Sequence, residues 1–180
     1  DKTGEFCLLE LNDTNKLAHI FERFGFEFAR KEYIGARTYK PSYPIRDKKG
    51  NVTYHNILDL LLLGKTGAAI GDFKFYDKTP VEIDRTNVRE VIDYANSFLE
   101  EDKHASQYSS INCVLIYAYK YELDTPKFKL EETRDMKNDT ECTIYKQFVD
   151  LSKSFDEIKQ QLTNIYDKML NINQQEDIQC

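Results

Sequence analysis

The chain has 180 residues, of which 41% are hydrophobic and 31% charged, and its formal net charge is −6. This balance predicts one globular domain over residues 1–180 with its own core, and the absence of an initiating Met suggests a domain excised from a longer chain. The acidic excess disfavours a protein that coats nucleic acid indiscriminately. Because no apolar run approaches roughly 20 residues and no signal peptide is recognisable, we expect a cytoplasmic protein without a membrane contact.

The first half of the chain alternates between helical and extended patterns. Residues 17–28 carry one apolar stripe at helical spacing, made of Leu17, Ile20, Phe21, Phe24 and Phe28. The DKKGN sequence at residues 47–51 has turn chemistry and predicts a hairpin. Two runs rich in leucine, isoleucine and aromatic residues, 52–63 and 68–76, are separated by a short GKTG sequence and predict adjacent strands of a central sheet.

The second half of the chain continues this alternation. Residues 88–99 carry another helical stripe, and the length and composition of residues 111–121 predict a buried strand. Residues 124–142 are polar and poorly patterned, which predicts a loop with an insertion. A capping box formed by Ser154 and Glu157 predicts the start of a terminal helix. This order of elements predicts an α/β fold whose central mixed sheet is flanked by helices.

Three charged residues interrupt the two runs predicted as central strands. Asp59 lies in the first run, and Asp72 and Lys74 lie in the second. An ionised carboxylate inside an apolar strand needs a partner, a raised pKa or a metal ion. If the strands pair through the short connection, the two aspartates meet at one point of the sheet. Because residues i and i+2 of a strand point to the same face, Lys74 then lies beside Asp72.

Two carboxylates at one point form an oxygen-ligand site suited to Mg²⁺, with Mn²⁺ as a substitute. An adjacent ammonium group adds what metal-assisted phosphodiester hydrolysis requires. The ion polarises the phosphate and lowers the pKa of a bound water, and the lysine orients that water or neutralises developing charge. From the residues alone, a structural salt bridge is the alternative explanation of the same three side chains.

The pattern formed by Asp59 and the sequence Asp72-Phe73-Lys74 resembles the PD-(D/E)xK nuclease superfamily, in which it lies on two adjacent strands. Leu58 stands where the superfamily pattern has a proline. Four segments resemble the McrC-type nuclease subunit of McrBC restriction systems. They are the predicted helices at 12–33 and 87–99 and the predicted strands GDFKFYD and VLIYAY. The resemblance implies a restriction-endonuclease-like core and Mg²⁺-dependent cleavage of DNA, in restriction or antiviral defence.

The resemblance also implies roles for individual residues. Asp59 and Asp72 are the expected metal ligands, and Lys74 is the expected catalytic lysine. Glu90 lies where the family usually has Gln and is a candidate accessory catalytic residue. Glu22, on the first helix, is a candidate third metal ligand. For both glutamates, a solvated or salt-bridged position on a helix surface is the alternative.

Two more residues are candidates for supporting the site. Tyr94 lies where the family has Tyr and could donate a hydrogen bond, although an amphipathic core tyrosine is the favoured interpretation. His55 shares strand parity with Asp59 if no bulge intervenes, and a surface histidine is the alternative. Residues 30–49 carry seven basic residues against two acidic ones, which suits either phosphate contacts or a solvated loop.

DNA is the expected partner of a protein with this resemblance. Cutting two strands needs two active sites, which favours a homodimer, and the McrBC resemblance implies a GTP- or ATP-hydrolysing motor subunit as a further partner. The chain itself lacks a nucleotide-binding loop, because Gly64-Lys65-Thr66 has no preceding glycine at the required spacing. The alternatives are an RNA or single-strand endonuclease of the same fold and a catalytically inactive scaffold that binds DNA or a protein partner.

Overall fold

The computed structural model describes residues 14–76, 85–119, 129–136 and 139–170. Three α-helices, one short 3-10 helix (Ala105–Gln107) and eight strands lie in these ranges. In chain order the α-helices and strands are α1 (Thr14–Lys31), β1 (Arg37–Tyr39), β2 (Ser42–Arg46), β3 (Val52–Ile57), β4 (Leu60–Leu63), β5 (Ala68–Tyr76), α2 (Arg85–Glu101), β6 (Ser110–Tyr119), β7 (Lys129–Asp135), β8 (Glu141–Asp150) and α3 (Phe155–Met169). Among the described helices, none combines the length and the apolar character needed to cross a membrane.

Six of the strands form one mixed sheet in the order β1-β4-β5-β6-β8-β7. The three central strands β5, β6 and β8 run parallel, and the outer strands join them antiparallel. The strands β2 and β3 form a separate hairpin closed by the turn at residues 47–51. The predicted α/β fold with a central mixed sheet flanked by helices is therefore confirmed.

The helices cover the two faces of the sheet with separate apolar clusters. The stripe of α1 packs with α3 on one face, where Phe21, Phe73 and Tyr166 are buried together. The stripe of α2 packs on the other face, where Val91 and Phe98 are buried. Because side chains alternate along a strand, β5 sends Phe73 into the first cluster and its charged neighbours to the side of α2.

A glycine allows α1 to approach β5 closely. A Cβ atom on Gly25 would lie 2.4 Å from the ring of Phe73. That ring packs edge-on against Phe21, with ring centroids 5.3 Å apart. The carbonyl of Gly25 also accepts a hydrogen bond of 3.0 Å from the buried hydroxyl of Tyr166. The contact therefore ties α1, β5 and α3 together on one face of the sheet.

The predicted single strand over residues 52–63 is wrong, because the chain changes sheets within it. Strand β3 ends at Ile57, the chain bends at residues 58–59, and β4 begins at Leu60. The physical reason is a change of environment: β3 is almost entirely exposed and pairs only with β2, whereas all four residues of β4 are buried in the central sheet. A continuous run of strand-forming residues conceals that change of partner.

The predicted loop over residues 124–142 is also wrong in part, because it contains β7 and the start of β8, and no strand was predicted over residues 143–150. Strand β7 is a polar edge strand that has one neighbour, so it carries little apolar pattern. Strand β8 buries Thr143, Lys146 and Gln147 among its apolar residues. Its place in the sheet follows from its full backbone pairing with β6.

Candidate active site

Asp59 and Asp72 lie side by side at one end of the β4–β5 pair. Leu60, the first residue of β4, pairs with Gly71 in antiparallel register, so Asp59 just before β4 lies opposite Asp72 of β5. The Oδ2 atom of Asp59 accepts a hydrogen bond of 3.0 Å from the backbone N–H of Phe73. The structure thus brings the two carboxylates together as predicted, although Asp59 occupies the bend before β4 rather than a strand position.

Lys74 connects β5 with α2 through two carboxylates. Its Nζ atom lies 2.9 Å from Asp72 Oδ2 and 2.9 Å from Glu90 Oε2. The other oxygen of Glu90 accepts a hydrogen bond of 2.9 Å from the hydroxyl of Tyr94, one helical turn further along α2. These contacts form a continuous polar chain from Tyr94 to Asp72, so the lysine has a fixed position.

A second ion pair lies on the side of α1. Glu22 accepts a short hydrogen bond from Lys40, a residue in the connection between β1 and β2. The charge of Glu22 raises the pKa of Asp59 by repulsion, and the ammonium group of Lys40 lowers it. The cluster therefore comprises four carboxylates and two ammonium groups, with a net charge of −2 when all are ionised.

Lys40 is the member of this cluster that the sequence did not single out. In the sequence it is one of the seven basic residues of positions 30–49. Three of these residues pair with carboxylates of α1: Arg30 and Lys31 with Glu27, and Lys40 with Glu22. The contact joins residues 18 positions apart. No local pattern reveals such a pairing, because it depends on how the chain after β1 passes α1.

The ionisation of the cluster follows from burial. Burial raises the pKa of Asp72 well above its usual range, and repulsion by Asp59 adds to this effect against the attraction of Lys74. Burial also raises the pKa of Asp59. Although burial alone lowers the pKa of Lys74, the charges of Asp72 and Glu90 raise it above its ordinary value. The lysine therefore remains an ammonium group at neutral pH.

Asp72 has an oxygen that suits a cation. Its Oδ2 atom is buried and makes no hydrogen bond of acceptable geometry in the described structure, although Lys74 approaches it at ion-pair distance. Lys74 compensates the charge of this oxygen at 2.9 Å, and an ionised carboxylate oxygen can accept a further partner. Together with Asp59, this oxygen fits Mg²⁺, which uses one or two carboxylates and keeps several waters.

Within the described ranges, no three His, Cys, Asp or Glu side chains are grouped so as to hold a metal ion between them. The reason is visible in the ion pairs: Lys40 holds Glu22, and Lys74 holds Glu90. A site built by the chain as it stands thus has two protein carboxylates. Glu22, the predicted third ligand, is paired with Lys40 in this arrangement.

Replacing Lys40 by Met is expected to make Mn²⁺ binding more dependent on pH. Loss of the ammonium group raises the pKa of Asp59 further, so protons compete with the metal at higher pH. At pH values where Asp59 is fully ionised, the affinity for Mn²⁺ stays equal or increases, because a nearby positive charge has been removed. Calorimetric titration with Mn²⁺ between about pH 5 and pH 8 measures both effects.

The control for this change is Lys31→Met, which removes a surface lysine paired with Glu27 on the same helix. It should leave the pH dependence of Mn²⁺ binding unchanged. An equal loss of affinity at every pH in Lys40→Met would contradict the electrostatic coupling of Lys40 to Asp59.

The remaining candidates have separate positions. Tyr94 belongs to the polar chain described above, and burial together with its hydrogen bond to Glu90 raises its pKa, which keeps the hydroxyl a donor. His55 lies on the exposed strand β3, whereas Asp59 directly precedes β4. The side chain of His55 lines a groove together with Glu90 and Tyr94. The bend at residues 58–59 removes the shared strand parity on which its prediction depended.

The architecture defines an α/β protein with a mixed six-stranded sheet that carries an acidic cluster at one end of the β4–β5 pair. Among solved structures, the fold is similar to a chain in the refined half-complex from the tetradecameric assembly of Thermococcus gammatolerans McrB AAA+ hexamers with bound McrC, with a TM-score of 0.54 and 13% sequence identity. The match covers 88% of this chain and 34% of that one, so this chain spans about a third of its length. No family model and no curated protein sequence matches this chain.

Proposed function

We propose that this chain is a Mg²⁺-dependent endonuclease domain that hydrolyses phosphodiester bonds of DNA in a restriction or antiviral defence system. The observation that carries this proposal is the arrangement of Asp59, Asp72 and Lys74. Two electrostatically coupled carboxylates meet on adjacent chain segments, and an ammonium group lies 2.9 Å from one of them. A structural salt bridge needs one carboxylate for one lysine, whereas here a second, half-buried carboxylate lies beside the first.

Each residue of the cluster has a defined task in this reaction. Asp59 and Asp72 would hold the ion, and Mg²⁺ supplies the charge that polarises the phosphate and acidifies a bound water. Lys74 is protonated, so it orients the attacking water or neutralises charge on the phosphate rather than removing a proton. Glu90 fixes the lysine, and Tyr94 fixes Glu90.

The fold likeness supports a relation to restriction systems and suggests a partner. The similar structure is an assembly of McrB AAA+ hexamers with bound McrC. We therefore include an NTP-hydrolysing motor subunit among the proposed partners, and a second copy of the chain as the simplest source of a second active site. The GKTG sequence is the turn of the β4–β5 hairpin, where Gly64 N–H donates to the carbonyl of Gly67. It is not a phosphate-binding loop.

A cleavage assay tests the proposed activity. Duplex DNA, single-stranded DNA and RNA of one sequence are incubated with the chain in Mg²⁺ or in a chelator, and we expect Mg²⁺-dependent cutting of the duplex. If only RNA or only single strands are cut, the proposed reaction stands and the proposed substrate is wrong. A chain that cuts none of them, alone or with a motor subunit supplied, would contradict the proposal.

Metal binding separates an enzyme from an inactive scaffold. Titration with Mn²⁺ should show one binding event that Asp59→Asn weakens at least about tenfold, because a carboxylate ligand is lost. Asp93→Asn removes an exposed carboxylate from α2 and is the matched control, since Asp93 makes no contact with the cluster's ion pairs. Equal Mn²⁺ affinity in the wild type and Asp59→Asn would favour the scaffold.

A further inference from the structure

A groove of about 500 Å³ lies between β3 and the beginning of α2, directly beside the acidic cluster. Tyr54 and His55 line it from the hairpin, and Arg89 and Asp93 line it from the helix. Glu90 and Tyr94, which hold Lys74 in place, also line it. The groove and the candidate active site therefore share a wall. A ligand lying in the groove therefore contacts Glu90, the helix residue that pairs with Lys74.

The groove is a fixed part of the fold. The amide of Asn56 on β3 donates to Ser97 Oγ at 2.9 Å and to the carbonyl of Asp93 at 3.4 Å. On β2, the hydroxyl of Tyr43 donates to Asp102 Oδ2 at 2.6 Å. These hydrogen bonds fasten the hairpin to α2 and to the residue that follows the helix. The walls therefore keep their spacing, which makes the groove a preformed binding surface.

The groups that face the groove suit a nucleic-acid strand. Tyr54 is 56% exposed, although a tyrosine of a folded protein usually buries most of its ring. Arg89 is exposed and makes no ion pair in the described parts of the chain. His55 is exposed beside it. An open aromatic ring can stack on a base of any sequence, and an unpaired guanidinium group binds a phosphate with two hydrogen bonds.

We propose that this groove binds the nucleotides next to the scissile phosphate, with Tyr54 stacking on a base that has left the duplex stack and Arg89 contacting a backbone phosphate. This inference rests on the proposed nuclease function and adds the surface that holds the substrate strand. Asp93 works against it, because its carboxylate repels the phosphates. The groove therefore holds a strand by one stacking contact and one guanidinium contact. So few contacts limit its affinity for DNA in general. The position of cleavage is then set by the acidic cluster.

Binding of labelled oligonucleotides tests the groove. Fluorescence anisotropy is measured with Ca²⁺ in place of Mg²⁺, on a single strand and on the matching duplex, and a gel of each sample confirms that the oligonucleotide stays intact. Tyr54→Ala and Arg89→Ala should each weaken binding roughly tenfold. Tyr54→Phe should bind as the wild type does, since it keeps the ring. Asp93→Asn should bind more tightly, because a repulsive charge is lost.

Lys65→Ala is the matched control for Arg89→Ala. Lys65 is an exposed cation in the turn at the opposite end of the β4–β5 hairpin, and its loss changes the net charge equally. Its variant should bind almost as well as the wild type. If Lys65→Ala and Arg89→Ala weaken binding equally, the attraction is diffuse and the groove inference is wrong. Thermal unfolding of each variant confirms that the exposed substitutions leave the fold intact.

The two proposals fail in different ways. If the wild type cuts DNA and the groove variants bind and cut as it does, the groove inference fails and the proposed function stands. If oligonucleotides bind through Tyr54 and Arg89 but are never cut in Mg²⁺, the groove stands and the nuclease assignment fails. A wild type that neither binds nor cuts any nucleic acid would overturn both.

Discussion

Asp72→Asn is expected to reduce Mg²⁺-dependent cleavage by about 10²–10⁴-fold and, at the same time, to make the metal-free protein more stable. The loss of activity follows from the loss of a metal ligand beside Lys74. The gain in stability follows from burial, which raises the pKa of the Asp72 carboxyl well above its usual range. Asn has nearly the same volume and carries no charge to dehydrate. Neutral substitutions of this kind stabilise by about 1 kcal/mol, or roughly 2–4 °C for a chain of this size.

The effect should depend on pH in a defined direction. Because the pKa of Asp72 is higher in the folded than in the unfolded chain, its carboxyl favours folding at low pH, and that contribution is lost as the pH rises through the folded-state pKa. The difference in melting temperature between Asp72→Asn and the wild type should therefore be larger at pH 8 than at pH 5. Asp93→Asn, which removes a carboxylate at an exposed position of α2, should melt as the wild type does. A lower melting temperature of Asp72→Asn at pH 8 would mean that the attraction of Lys74 outweighs the burial of Asp72.

Gly25→Ala is expected to destabilise the fold by about 1–3 kcal/mol, although Ala is the better helix former by about 1 kcal/mol. The added Cβ atom would lie 2.4 Å from the ring of Phe73, which is itself buried and packed against Phe21. The ring must move, and Phe73 stands between Asp72 and Lys74 in β5. We therefore expect Mn²⁺ affinity and cleavage to fall together, by roughly tenfold or more, since small displacements of reacting groups are costly.

A double variant isolates the cause of this effect. Phe73→Leu shortens the side chain that the new Cβ atom meets, so Gly25→Ala combined with Phe73→Leu should be less unstable than the sum of the single variants. Chemical denaturation of the four proteins measures this coupling. Strict additivity of the two free-energy changes would show that Gly25 and Phe73 act independently, against the contact between α1 and β5.

The elements with strong periodicity were predictable from the sequence. The stripes of α1, α2 and α3 and the capping box at Ser154 follow from apolar spacing and local hydrogen bonding, and the structure contains each of them. The strands β7 and β8 were not predictable in the same way. One is a polar edge strand and the other mixes buried polar with apolar residues, so their position depends on backbone pairing with distant segments.

The candidate site divides along the same line. The meeting of Asp59 and Asp72 was predictable, because a short connection joins the two segments that carry them. The contact of Lys74 with Glu90 was not, since it depends on how α2 packs on the sheet. The pairing of Glu22 with Lys40 and the groove beside β3 depend equally on tertiary packing. The candidate catalytic residues can be predicted from the local sequence. The contacts that hold their side chains in place depend on tertiary packing and cannot.

The short hairpin also has a consequence for the order in which the site is assembled. Asp59, Asp72 and Lys74 all belong to the β4–β5 hairpin, which closes through the turn from Gly64 to Gly67. Closing so small a loop removes little chain entropy, whereas pairing β5 with β6 and β6 with β8 requires much longer loops. We therefore expect the two carboxylates to approach each other while water still hydrates them. Their dehydration requires the packing of α2 on the sheet, so we expect the electrostatic penalty of the site to arise after the hairpin has closed.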